Sequence, residues 1–173
     1  MSEKLLKQIK DEKIGYVDLR FTDVRGKLQH VTFDASMVDE DLFEDGTMFD
    51  GSSIAGWKSI NESDMVLKPD PSTADIDPFY QQETMTIFCD ILEPDTALPY
   101  NRDPRGTAKK AENYIKSAGV GDTVYFGPEA EFFVFDDVRW DTSQQKTGYS
   151  FDSVEGDYNS GTEYPGGNKG HRP

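Results

Sequence analysis

The chain has 173 residues, of which 35% are hydrophobic and 12% aromatic, enough apolar material for a packed core and too much for wholesale disorder. Lysine and arginine total 18 against 33 aspartates and glutamates, so the net charge is 18 − 33 = −15, which repels phosphate backbones and argues against nucleic acid as a partner. Such a charge serves solubility, or it points to a site where metal ions or local arginines reverse the sign for an anionic substrate; composition leaves both open.

From the amino terminus, Ser2 is placed to cap a short helix reaching about Glu12, with Leu5, Leu6 and Ile9 as a narrow apolar stripe among lysines. In residues 14–21, Val17, Leu19 and Phe21 alternate with Asp18 and Arg20, the period-two pattern of a half-buried strand. Asp23-Val24-Arg25-Gly26 reads as a turn and residues 27–33 as the returning strand of a hairpin. Residues 39–45 are acidic and predict a short exposed helix or turn. Residues 65–67 and 84–92 predict strands, separated by a loop that holds Pro69, Pro71 and Pro78. Cys89, in the second of these, has no partner for an internal disulfide and reads as a buried core thiol. A boundary falls near residues 99–103. The next helix is well punctuated, with Asp103 at the N-cap, Pro104 at the first helical position and Gly119 after the last turn. Ala108, Ala111, Ile115 and Ala118 recur at spacings that predict one narrow, closely packed face. Residues 123–136 are then expected to form the most apolar strand of the chain. From Arg139 on, glycine, serine, tyrosine and charge dominate without a clear period, and the chain stops in an irregular segment, as a chain cut inside a domain would. No run approaches about 18 consecutive apolar residues and the start lacks a secretion signal, so no membrane span is predicted and a cytoplasmic protein is expected.

Two motifs carry candidate chemistry. On a strand, Glu129 and Glu131 point to one face, roughly 6–7 Å apart, while Ala130, Phe132 and Val134 take the other. They are either a solvated strand edge or oxygen ligands for one or two divalent cations. The nearby Tyr125, Phe126, Phe133 and Phe135 weigh toward the second, because desolvated carboxylates repel one another unless a cation intervenes. Magnesium and manganese suit such ligands equally. Phe49-Asp50-Gly51-Ser52-Ser53 is locally a turn; its Asp50 and Ser53 are either plain turn residues or groups displayed to a neighbouring subunit. Asn168-Lys169-Gly170 lacks the spacing and the hydroxyl of a phosphate-binding loop. His30 and His171 show no metal-ligand spacing; His30 reads as structural, and His171 is undecided.

Phe49-Asp50-Gly51-Ser52-Ser53, followed by Glu62-Ser63-Asp64-Met65-Val66-Leu67, resembles the amino-terminal signature of glutamine synthetases. Gly127-Pro128-Glu129-Ala130-Glu131-Phe132-Phe133 resembles the family's first metal-binding strand, and Asn101-Arg102-Asp103-Pro104-Arg105 its domain junction. Tyr149-Ser150-Phe151-Asp152-Ser153-Val154-Glu155-Gly156 is similar to an insertion of the bacterial type I subgroup regulated by adenylylation. The resemblance implies an α+β chain: a β-grasp domain over residues 1–100, then the truncated start of an α/β catalytic domain over 101–173. It implies phosphorylation of glutamate by ATP, attack of ammonia on the γ-glutamyl phosphate, and two divalent metal ions (Mg or Mn). Glu129 and Glu131 would each serve one metal site. Asp50, with Ser53 near it and Trp57 close by, would reach into the adjacent subunit's active site, bind ammonium and help remove its proton. The full enzyme would be a homo-oligomer of two stacked hexameric rings. The ATP-binding residues and remaining ligands would lie past residue 173, so the chain alone is expected to be inactive and to bind metal weakly. Two other readings stay open: a γ-glutamyl ligase for a larger amine, and a non-catalytic module that inserts into rings of the full enzyme.

Overall fold

The computed structural model describes residues 1–171 and divides the chain into two units, Met1–Val124 and Tyr125–Pro173. In the first unit, α1 (Ser2–Asp11) buries Leu5 and Ile9, one turn apart. Ser2 does not cap it: Met1 holds the N-cap position with no side-chain bond, and Ser2 is already helical. Strands β1 (Tyr16–Thr22) and β2 (Leu28–Asp34) form the expected antiparallel hairpin, Tyr16 opposite Asp34 and Thr22 opposite Leu28. Asp23 builds its turn by accepting the backbone N–H of Arg25 (2.8 Å) and Lys27 (3.0 Å), and Gly26 supplies a φ of 82°. Next come α2 (Glu40–Glu44), β3 (Thr47–Asp50), β4 (Asp64–Pro69), the two-residue β5 (Asp75–Ile76) and β6 (Thr84–Leu92). The sheet order is β2-β1-β6-β4-β3, with β5 on β6; β1 and β6 run parallel and the other pairs antiparallel. This is an α+β arrangement around a β-grasp-like sheet. Its core gathers Val17, Leu19 and Phe21 from β1, Met65 and Leu67 from β4, and Met85, Ile87, Cys89 and Ile91 from β6.

Three further departures from sequence expectation lie in the sheet and α2. The segment expected to be exposed around residues 39–45 buries Leu42 and Phe43, with Asp39 capping α2 through the Leu42 N–H (3.1 Å). Strand β3 was not anticipated; it is four residues long and follows Gly46, where φ is 81° and a Cβ would fall 2.5 Å from the Leu67 carbonyl oxygen. Asp18 belongs to the expected polar face of β1 but is only 1% exposed. Its Oδ1 accepts from Thr32 Oγ1 (2.7 Å) and lies 2.7 Å from His30 Nδ1, while its Oδ2 accepts from Arg20 Nε (2.8 Å); Arg20 also donates to Asp77 (2.7 Å). Burial alone would raise the Asp18 carboxyl, but the bonds from Thr32, Arg20 and His30 hold it below the ordinary aspartate value.

Helix α3 (Pro104–Ser117) starts as its sequence predicts. Asp103 accepts the N–H groups of Arg105 (3.0 Å) and Gly106 (3.1 Å), Pro104 takes the first turn, and Gly119 follows with φ 67°. The predicted close-packed face is absent, however. Ala108, Ala111 and Ala118 are exposed and Ile115 is half-buried, because only the first turn, at Gly106, is covered.

Residues 123–133 form no strand, which overturns the expectation for 123–136. A strand needs a neighbour for its N–H and C=O groups. Among the described residues Val134 makes a single bridge to His171, and the Asp136 N–H reaches the Asp152 carbonyl (2.9 Å) only where β7 is about to begin. Tyr125 and Phe126 are consequently 91% and 88% exposed. Strands β7 (Asp137–Thr142) and β8 (Thr147–Asp152) instead pair as an antiparallel hairpin where composition showed no period. Stacked rings hold it, Phe135 on Phe151 at 4.5 Å and Tyr149 on Phe151 at 5.8 Å. Asp136 and Asp152 tie the glycine-rich segment down: Asp136 accepts from Val154 N (2.9 Å) and Gly170 N (2.6 Å), and Asp152 from Ser160 N (2.9 Å) and the Tyr164 hydroxyl (3.0 Å). Residues 166–171 are irregular, as expected; Arg172 and Pro173 lie outside the described residues.

Removing the Asp18 carboxylate leaves Arg20 partly unpaired beneath the surface. Asp18→Ala is expected to lower the unfolding free energy by about 3 kcal/mol, read as a shifted urea midpoint at unchanged slope. The folded pKa lies below the unfolded one, so this stabilisation is complete above the ordinary aspartate value of about 4 and is lost as pH falls through the folded value. The gap between wild type and variant should therefore close in acid.

Candidate functional site

Strand β3 ends at Asp50, opposite Asp64 of β4, and the chain then turns sharply. The Gly51 N–H donates to the Ser63 carbonyl (2.7 Å). Gly51 is glycine because of close approach: a Cβ there would fall 2.3 Å from Met65 Sδ and 3.0 Å from the Ser63 carbonyl oxygen. Residues Gly51–Ser53 form a single 3-10 turn capped by Asp50, whose Oδ1 accepts from both Ser52 N (2.8 Å) and Ser52 Oγ (2.6 Å). The Ser52 hydroxyl and N–H hold the Asp50 carboxyl below its ordinary value, and the hydroxyls of Ser63 and Ser53 add to the lowering. Asp50 and Ser53 are thus brought together on one exposed turn, with the carboxylate ionised.

The turn itself is a recurrent device. Asp34 with Ser36 (2.9 and 2.6 Å) and Asp70 with Ser72 (3.0 and 2.5 Å) repeat the same pair of bonds. Asp34, like Asp50, also ends an outer strand, so what sets Asp50 apart is what lies next to it. Beside its partner residues Ser63 and Asp64 runs a cleft of about 500 Å³, also lined by Lys58, Glu62, Glu93 and Asp95, an acidic setting.

Trp57 closes the loop from Asp50 and is 6% exposed. Its ring meets Phe21 at 5.5 Å, Phe49 at 6.2 Å and Tyr100 at 5.4 Å. Its indole N–H has no acceptor among the described residues. It is therefore the loop's buried anchor. Sequence reasoning missed the residues that surround it. Tyr100 meets it edge-on, Arg102 donates to the Gly56 and Trp57 carbonyls, and Lys58 pairs with Glu93 (2.6 Å). No period or spacing marks any of these.

Glu129 and Glu131 lie in the irregular segment of the second unit, and both are exposed. Among the described residues no group of three or more His, Cys, Asp or Glu side chains converges as a metal-binding set. Two carboxylates supply only part of the roughly six oxygen ligands that magnesium demands, so these residues do not by themselves make a metal centre. His171, undecided from sequence, places Nδ1 3.2 Å from Glu155 Oε1. Cys89 is buried, and burial pushes its thiol up to about 12, as suits a core thiol.

Two family descriptions match the chain: "Glutamine synthetase, beta-Grasp domain" over residues 13–94 and "Glutamine synthetase, catalytic domain" over residues 101–170. A curated glutamine synthetase of Bradyrhizobium diazoefficiens is 68% identical over 171 residues, covering 99% of this chain and 36% of the relative. That of Escherichia coli is 57% identical over 172 residues, covering 99% and 37%. A cryo-EM structure of Plasmodium falciparum glutamine synthetase superposes with a TM-score of 0.65 at 25% identity, over 87% of this chain and 29% of that one. The chain spans little more than a third of the length of the curated relatives it matches.

Gly51→Ala should push the turn off β4 and destabilise the first unit by about 2 kcal/mol in chemical denaturation, the magnitude typical of overpacking. Cys89 should resist a thiol-specific reagent at pH 8 in the native chain and react fully in denaturant, as followed by mass spectrometry.

Proposed function

The chain belongs to the glutamine synthetase family, and from that premise we propose that it forms the amino-terminal part of an enzyme that ligates ammonia to glutamate, using ATP, by way of γ-glutamyl phosphate. The observation that carries the reading is the Asp50 turn: an exposed carboxylate held ionised, with one oxygen tied to Ser52 and the hydroxyls of Ser53 and Ser63 beside it. Ammonium is a small cation with N–H groups on every side, and an ionised carboxylate binds it through charge-assisted hydrogen bonds. The same carboxylate can accept a proton as general base, but its lowered pKa makes it a better binder than base. The larger part of its effect therefore falls on ammonium binding.

In this reading residues 1–100 are the β-grasp domain and residues from 101 on begin the catalytic domain. Glu129 and Glu131 each contribute to one of two sites for magnesium or manganese, with the other ligands drawn from outside this chain. Bound metal ions would offset the charge that accumulates between two anionic substrates. The exposure of Asp50 and Ser53 suits presentation to an adjacent subunit in two stacked hexameric rings. Among the described residues no helix is long and apolar enough to cross a membrane, and a cytoplasmic enzyme is proposed.

The test is phosphate release that requires ATP, ammonium and glutamate together. It is expected to be absent from the 173-residue chain. It should be present in a chimera whose residues after 170 come from the Bradyrhizobium relative. In that chimera Asp50→Ala should lower kcat/KM for ammonium by about 10²–10⁴-fold. Full activity of Asp50→Ala would remove Asp50 from the mechanism, and equal use of methylamine would favour a broader γ-glutamyl ligase.

A further inference from the structure

We propose that Arg102 is the positioning residue of the Asp50 turn, acting through the loop that ends at Trp57; the catalytic meaning of this rests on the role given to Asp50 above. The first end of the loop is fixed by the sheet, with Asp50 opposite Asp64 and Gly51 N bonded to the Ser63 carbonyl at 2.7 Å. The chain then passes the buried Ile54 and the positive-φ Gly56 to reach Trp57. No strand receives this second end. Arg102 does: its Nη1 donates to the Gly56 carbonyl and lies 3.4 Å from the Trp57 carbonyl oxygen. Tyr100 meets the Trp57 ring edge-on at 5.4 Å, and Lys58 Nζ sits 5.3 Å from the Tyr100 ring while pairing with Glu93.

The segment that supplies these contacts is itself fastened to the central strand. Tyr100 N donates to the Ile91 carbonyl (2.8 Å), and Asp103 Oδ2 accepts from Ile91 N (3.4 Å) while capping α3. The two ends of the loop are therefore tied to β4 and β6, which are neighbours in the sheet. Between those ties lies the short turn that displays Asp50 and Ser53. Both contacts come from the one nitrogen Nη1, whose N–H directions the rigid guanidinium plane fixes, whereas an ammonium turns freely on a flexible stem. Loss of Arg102 frees the second end of the loop and leaves the sheet's own hydrogen bonds in place.

The chain has two tryptophans, so Trp140→Phe leaves Trp57 as the sole indole reporter. In that background Arg102→Ala should increase acrylamide quenching of Trp57. It should also speed amide exchange over residues 51–58 by about ten-fold, with the amides of β1 and β6 unchanged. Arg102→Lys should recover only part of the protection. Quenching and exchange identical to the parent would overturn the proposal, as would loosening spread through the whole sheet. In the active chimera Arg102→Ala should raise the KM for ammonium about ten-fold with kcat within about two-fold, and an unchanged KM would also count against it. A chimera that makes no glutamine would refute the proposed function, whereas quenching and exchange on the 173-residue chain decide the clamp without any activity.

Discussion

The parallel ladder between β1 and β6 sets Tyr16 beside Thr84 and Arg20 beside Phe88, joining stretches of chain far apart in sequence. Parallel neighbours cannot be connected by a tight turn, so the chain between them must leave and return. On that excursion it lays β2 on one side of the pair and β4 and β3 on the other. Asp50 falls where β3 runs out, and the segment after β6 comes back to hold the loop that Asp50 begins. Strand β6 is thus the common reference: it buries Met85, Ile87, Cys89 and Ile91, and Ile91 alone bonds both Tyr100 and Asp103.

The acidic composition acquires a different meaning in this setting. Asp23, Asp34, Asp39, Asp50, Asp70 and Asp141 each accept a backbone N–H a few residues on, so much of the negative charge serves as local turn and cap chemistry. Hydrogen bonds from the serine two residues on hold Asp34 and Asp50 below the ordinary value; at Asp70 burial pushes upward, but the Ser72 bonds and the charges of Arg105 and Lys109 outweigh it. Asp103 does the same work at α3, but burial lifts its carboxyl above the ordinary value despite the N–H groups of Arg105, Ile91 and Gly106. Capping and desolvation are thus balanced differently at each turn, and only the structure shows which prevails.

Features governed by neighbours in sequence were legible in the sequence. The β1–β2 hairpin, the limits of β6 and the Asp103-Pro104 start of α3 follow from alternation, turn residues and cap chemistry. So does the Asp50-to-Ser53 turn. What depended on distant partners was not legible. Residues 123–136 have strand composition but, among the described residues, strand-like pairing begins only at Val134. The β7–β8 hairpin shows no alternation because both its faces are largely exposed. Asp18 looked solvated because nothing in β1 announces that Arg20, His30 and Thr32 will close over it. At the candidate site Asp50 and Ser53 could be named beforehand, whereas the Ser52 bonds that hold the carboxylate and the Arg102 contact could not.

Gly46 and Gly51 bracket β3, and at each a methyl group would collide with β4 or its side chains, at Leu67 and Met65 respectively. Any lineage that kept this strand pairing would have to keep both glycines, whatever reaction it catalysed. Invariance at Gly51, next to the candidate ammonium ligand, would therefore record the spacing of two strands, and invariance at Asp50 would in part record the cap it places on the turn, so evolutionary inference about chemistry in this motif is drawn more safely from the exposed Ser53.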